Sequence, residues 1–373
     1  MIKIQKIGQI GITGKIKIIA EILYDQQIHT RTMTIETDDT LENIPPEFAA
    51  FMVMPTAVFY GHDIDLTELH VDPIFASNLQ NYMKRIVLFS CGLELFEPSS
   101  YTWLKEFKKA LHLVHPIYGQ FRQIEPVWTK SRIGLMFSGG VDSFYSLTTR
   151  KGISDVIFIS DMNAPEEKSL KAVRTLFPTI KIHKVHSSTM GAWDRGPDGW
   201  FLVSHGCVLY SSGLLFQNNL VEMIVSSDLG THEAGSGRDI DYLASTSKMR
   251  FTTYGLTSKH EKVRTLLTLD EKTKKEVFGH LQVCYVPRVG DFNCCRCSKC
   301  VGVMAILREH GAERYSTTFD FNDLEDKIVN MKGDIRFFTS DMIYTIKNTE
   351  NTGIKNAAKA FLEKNKIDYQ EKA

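Results

Sequence analysis

The sequence predicts an α/β fold class, a doubly wound parallel sheet, and three observations predict it. From Ser131 onward, short apolar runs alternate with amphipathic stretches in the order strand, helix, strand. A Gly-Gly pair joins the first of these runs to a helix-like segment, as a sharp strand-to-helix turn requires. No internal repeat or biased tract competes with this reading.

The elements follow in order. Ile133–Phe137 reads as a short buried strand and Val141–Arg150 as the helix after it. Asp155–Ser160, Ile180–Val185 and Val221–Val225 read as further strands, with helices at Glu166–Leu176 and Gly206–Leu220. Cys284 is expected to end another strand, and Val301–His310 to form a helix. Upstream, the period-two segments Lys15–Ile19 and Thr30–Ile35 and the apolar run Phe51–Phe59 read as strands of an antiparallel sheet. Asp72–Cys91 and Trp103–Leu113 read as helices, and Glu36–Glu42 as a solvated acidic loop. Downstream, Asp323–Lys332 and Asn356–Lys364 read as polar helices. The expected division is an N-terminal α+β domain at 1–126, the α/β domain with a cysteine module at 127–312, and a helical tail at 313–373.

At 373 residues the chain exceeds one average domain. Its 44 Lys and Arg balance 44 Asp and Glu, so no overall basic field favours a nucleic-acid partner. Met1–Ile7 alternates apolar and polar residues where a signal peptide needs a continuous apolar core. No apolar run is long enough for a membrane span. The expected location is the cytoplasm, without membrane contact.

Ser138-Gly139-Gly140-Val141-Asp142-Ser143 follows a buried strand and opens a helix. Paired glycines let the backbone approach a ligand, and the helix start offers unpaired amides and the positive end of its dipole. That combination binds anions. The Ser138 and Ser143 hydroxyls can donate to phosphate oxygens, and Asp142 can hold the loop or position magnesium. An ordinary tight turn is the alternative for Gly-Gly alone. The whole string resembles the signature of the ATP pyrophosphatase (PP-loop) family and not the GxxxxGK[ST] loop, which is absent from the chain. The resemblance implies an adenine nucleotide alpha hydrolase-like, Rossmann-like fold. It also implies ATP and Mg2+ held at Ser138–Ser143, adenine and ribose near Asp161, and catalytic roles for Asp142 and Ser143. In that family ATP activates a substrate oxygen as an adenylate while the loop grips the departing pyrophosphate.

Of seven cysteines, five lie within Cys284–Cys300. Such clustering favours metal binding or catalysis over a disulfide framework. Cys294, Cys297 and Cys300 form CxxCxxC, and with Cys284 they supply the four thiolates of a closed zinc site. Cys295 is then surplus. Phosphate loop, lone cysteine, CxxCxxC and a helix, in that order, resemble the 7-cyano-7-deazaguanine synthase family, and Ser258-Lys259-His260-Glu261 resembles its SKxE segment. The resemblance implies Zn2+ at Cys284, Cys294, Cys297 and Cys300 and Lys259 near the nucleotide phosphates. It covers roughly Ser131 to His310.

The chain departs from that family in its N-terminal domain, in the 226–246 tract, which lacks a DxR arrangement, and at Ser204-His205-Gly206, where an Arg-Asn pair is expected. With these departures the chain resembles a wider synthase-like group, which includes natural-product and anti-phage defence relatives. His205, placed just before an expected helix start, reads as a neutral donor or base, or as a packed core histidine. Asp228, Asp239 and Asp241 read as magnesium or amine ligands, or as loop caps.

The expected function is an ATP-dependent ligase that adenylates a small-molecule carboxylate, of 7-carboxy-7-deazaguanine type, and passes it to ammonia or another amine. Alternatives are a tRNA sulfurtransferase and a nucleotide sensor with a protein partner on its N-terminal domain. Changes at Asp142 or Gly139 are expected to stop turnover with the fold intact.

Overall fold

The first three strands are long and alternate in polarity, whereas those after Ser131 are shorter and in three cases mostly apolar, and both kinds enter one sheet. In the computed structural model, which describes residues 1–10, 15–24, 27–39, 41, 44–60, 62–92, 118–121, 131–160, 166–187, 200–228, 235–284, 293–331 and 335–367, ten strands pair edge to edge. They are β1 (Ile2–Ile10), β2 (Lys15–Tyr24), β3 (Gln27–Thr37), β4 (Ile64–Val71), β5 (Tyr118–Phe121), β6 (Ile133–Met136), β7 (Ile153–Ile159), β8 (Lys181–Ser187), β9 (Glu222–Ser226) and β10 (Arg250–Tyr254). Their order is β10-β9-β6-β7-β8-β3-β2-β1-β4-β5. Neighbours in the block β10-β9-β6-β7-β8 all run parallel. β1, β2 and β3 form an antiparallel meander, and β4 and β5 extend it in parallel. The two blocks meet where β3 pairs antiparallel with β8, from Ile35 opposite Ser187 to Thr37 opposite Val185. The fold is mixed α/β on a mostly parallel sheet.

Successive residues of the parallel strands point to opposite faces and fill two cores. Met136, Ile157, Ile159, Val185, Met223 and Val225 enter one, beneath α1 (Glu47–Tyr60), α2 (Pro73–Gly92) and α5 (Trp200–Leu214). Leu135, Phe137, Val156, Phe158 and Ile224 enter the other. That second core is covered by α3 (Val141–Thr149), α4 (Glu166–Leu176), α6 (Lys259–Leu267), α7 (Glu271–Gly279), α8 (Ser298–Glu309) and the C-terminal helices α9 (Leu324–Val329), α10 (Ile335–Asn348) and α11 (Thr352–Lys364).

Three expectations are corrected. Phe51–Phe59 is not a strand but part of α1, in which every residue from Phe48 to Met54 is fully buried. A helix enclosed on all sides loses its 3.6-residue polarity pattern and reads like a buried strand. The helix expected at Gly206–Leu220 begins six residues earlier, at Trp200, and ends at Leu214. Cys284 ends no strand, because residues 281–284 lack regular structure. The helix expected at Trp103–Leu113 lies outside the described residues.

The junction of the two blocks carries a buried charge network. His183 on β8 sets Nε2 2.7 Å from Asp155 Oδ1 on β7 and Nδ1 2.5 Å from Asp39 Oδ2, just past β3. Lys181 closes on Asp39 at 2.7 Å, and Arg132 donates to Asp155. Burial opposes the His183 charge, yet hydrogen bonds to Asp155 and Asp39 prevail and raise its pKa above 6.5. Burial likewise opposes the Asp39 charge, but His183 and Lys181 lower that carboxyl to about 2. A histidine raised on folding adds stability below pH 6.5 that is lost as pH climbs through its folded pKa. Thermal melts from about pH 6 to pH 9 should therefore show falling stability, and His183→Ala should cost about 3 kcal/mol near pH 6 and flatten that dependence. An unchanged slope in the variant refutes the assignment.

Candidate phosphate loop and four-cysteine centre

β6 and β9 are neighbours in the sheet although β7 and β8 intervene in the chain, so the path switches sides between them. Both strands end at the same rim, and in open α/β sheets a switch of this kind marks the crevice where ligands bind. The loop 138–143 follows β6 at this rim, and Ser227 and Asp228 follow β9.

Gly139 has φ +75°, and a Cβ there would lie 2.6 Å from Ser169 Cβ, so only glycine fits. Gly140 caps α3 in extended conformation without a side-chain hydrogen bond, and a Cβ there meets nothing closer than 3.5 Å. Ser143 Oγ donates to Gly140 O at 3.0 Å and lies 3.4 Å from Ser138 Oγ. Val141 is buried at the first helical position. The backbone of Gln282 donates to Gly139 O at 2.8 Å. Among the described residues, Gln282 Nε2 and Oε1 and Ser169 Oγ are buried without a hydrogen-bond partner. Buried polar groups are normally satisfied, so these orphans around Gly139 mark a place prepared for polar contacts.

Lys262 controls the crevice. Its side chain is wholly buried, and Nζ donates to Asp142 Oδ1 at 2.6 Å and to Ser227 O at 2.5 Å. One ammonium thus ties α6 to the loop after β6 and to the end of β9. Burial opposes charge on Asp142, but Lys262 foremost, then Lys259, keeps its carboxyl below the ordinary value. Lys259 Nζ meets Asp228 Oδ2 at 2.7 Å. Ser258 caps α6 by accepting from Glu261 N at 3.2 Å, which fixes where both lysines emerge.

This geometry corrects the expectation that Asp142→Ala and Gly139→Val leave the fold intact. The first strands a buried cation, and the second drives a branched side chain into Ser169. His205 lies inside α5, not before a helix start, so the helix dipole does not tune it; its Nε2 sits 2.9 Å from Ser236 Oγ. Asp241 is fully buried and accepts from Tyr210, Thr253 and Gly237 N, while burial pushes its pKa up to about 6. It organises the 235–241 turn. Asp239 pairs with Arg238 at the surface, and Asp161 lies outside the described residues.

Cys284, Cys294, Cys297 and Cys300 converge, each offering its sulfur within 4.8 Å of the others. Cys294 and Cys300 sulfurs are 3.7 Å apart, close to the roughly 3.8 Å edge of a tetrahedron with zinc–sulfur bonds of about 2.3 Å. The donor set fits a metal ion such as zinc. Cys297 is lowered to about 5 by its contact with Cys300, and Cys300 is pushed up by the same contact. Asn293 holds the two cysteine segments together: its Oδ1 accepts from Val283 N and Cys284 N, and its Nδ2 donates to Leu281 O and Thr318. Cys295 is outside the ligand group but not idle, since its sulfur accepts from Asp320 N at 3.2 Å and donates to Asn293 O at 3.3 Å.

Sequence reasoning missed Lys262, Gln282, Ser169 and Asn293. Lys262 lies one turn past Lys259, and that spacing was the available signal; the others carry no local one. No family model, curated protein or solved structure matches the chain.

Cys297→Ser should abolish metal retention measured by elemental analysis and lower the melting temperature by at least ~5 °C. Cys295→Ser, whose hydroxyl can keep both hydrogen bonds, should retain the metal and cost less than about 1 kcal/mol. Equal metal content in the two variants would show that the tetrahedral assignment is wrong.

Proposed function

We propose that the chain is an ATP-consuming enzyme of PP-loop type, one that adenylates a small-molecule carboxylate with loss of pyrophosphate and transfers the acyl group to ammonia or another amine. The observation that carries this reading is Lys262, a buried cation joining Asp142 of the glycine loop to Ser227 O across the crevice. A left-handed glycine and a helix start, on a loop that Lys262 braces, give free amides and the positive end of a helix dipole where a triphosphate's anionic oxygens would sit. The parallel block, renumbered along the chain, has the order 3-2-1-4-5 with helices on both faces, which supports a doubly wound, Rossmann-like reading.

In this reading Ser138, Ser143 and the amides after Gly139 grip the pyrophosphate end, Lys259 balances its growing charge, and the buried Lys262 holds Asp142 and the loop in place. Magnesium would join through Asp142 or Asp228. Phosphoryl-type chemistry needs mainly positioning and charge stabilisation, which these residues supply. The carboxylate oxygen attacks the α phosphorus, the α–β bridge breaks, and pyrophosphate leaves; the amine then displaces AMP from the acyl carbon. A zinc ion held by Cys284, Cys294, Cys297 and Cys300 would supply structure and not chemistry.

Gly140 provides the discriminating variant, because an added methyl is tolerated by the protein yet projects into the cradle. Gly140→Ala should cost under about 1 kcal/mol as a cap change, while ATP-dependent pyrophosphate release with a panel of carboxylic acids, 7-carboxy-7-deazaguanine included, should fall about a hundredfold. Wild-type release with none of the acids, or an unaffected variant, overturns the proposal.

A further inference from the structure

Outside the loop and the cysteines, a second group of metal-ligating side chains gathers where α6 meets the end of α8. His260 Nδ1 lies 3.2 Å from His310 Nε2 and 3.6 Å from Glu309 Oε2, and all three ligand atoms fall within 4.8 Å of one another. A tetrahedral zinc ion with bonds of about 2.0–2.1 Å separates its ligand atoms by about 3.3–3.4 Å, so the two measured separations bracket the required edge. We propose that His260, Glu309 and His310 form a second divalent transition-metal site, of zinc class, that clasps α6 to the C-terminal end of α8.

Three observations argue for more than a hydrogen-bonded pair. Glu309 Oε2 is buried and without a hydrogen-bond donor among the described residues, beside two imidazole nitrogens that cannot all satisfy it. His260 is 3% exposed and its ring is held by Tyr344 on α10, with centroids 4.6 Å apart, so the ligand geometry is prearranged. Glu309 ends α8 and His310 caps it, which directs the negative end of that helix dipole at the site.

Opposing charge comes from Arg264, one turn along α6, while Lys259 is engaged with Asp228. Two histidines and one carboxylate leave a fourth position, as in sites that keep a water or an exchangeable ligand. The affinity of this site is therefore expected to be lower than that of four thiolates.

The test is metal stoichiometry of the full-length chain dialysed against excess zinc, paired with the cobalt(II) spectrum. Wild type should bind one equivalent more than His310→Ala and than Glu309→Gln, and its spectrum should contain a ligand-field component, with no thiolate-to-cobalt charge transfer of its own, that both variants lose. Glu309→Gln preserves volume, and circular dichroism checks that both variants are folded. The charge-transfer band reports the cysteine centre separately, so failure there leaves this result readable. Equal stoichiometry and equal spectra in wild type and either variant overturn the proposal.

Discussion

A fully buried ammonium cannot exist unpaired, and that constraint organises the crevice. Lys262 has no water to solvate it, so Asp142 and Ser227 O must remain within hydrogen-bonding reach. Because those partners sit after β6 and after β9, the lysine fixes the distance between the two strand ends where the chain switches sides. The loop conformation follows: Asp142 is anchored from below, Gly139 takes the left-handed turn that leads into α3, and Ser143 closes back on Gly140.

The four-cysteine centre reaches the same loop by a short path. Cys284 lies two residues beyond Gln282, whose backbone amide holds Gly139 O, and Asn293 bonds the amides of Val283 and Cys284. A metal at the cysteines would therefore rigidify the floor of the loop as well as the base of α8. Closed thiolate sites act in this way, through geometry instead of chemistry.

The N-terminal strands are joined to this machinery by the sheet itself. β3 adds to β8 over only a few residues, and such a short antiparallel seam between two blocks is a weak join unless something else secures it. His183 secures it, reaching from β8 to carboxylates on either side. Among the described residues no helix is long and apolar enough to cross a membrane.

Sequence alone determined what local chemistry controls. Alternating apolar runs placed four of the five parallel strands, though not β10, and most helices within a few residues, Gly-Gly marked the turn that Gly139 makes, and CxxCxxC with Cys284 named the ligand group, because spacing along one short loop limits which sulfurs can meet. Tertiary structure decided what depends on partners distant in the chain. Phe51–Phe59 reads as a strand although it is helical, because enclosure by helices and strands removed the polar face that would have revealed it. Lys262, rather than Lys259 alone, bridges the loop because only the packing of α6 against α3 shows which lysine turns inward. His260 stands 50 residues before His310 and its neighbour Glu309, and no pattern announces that one helix start will meet another helix end.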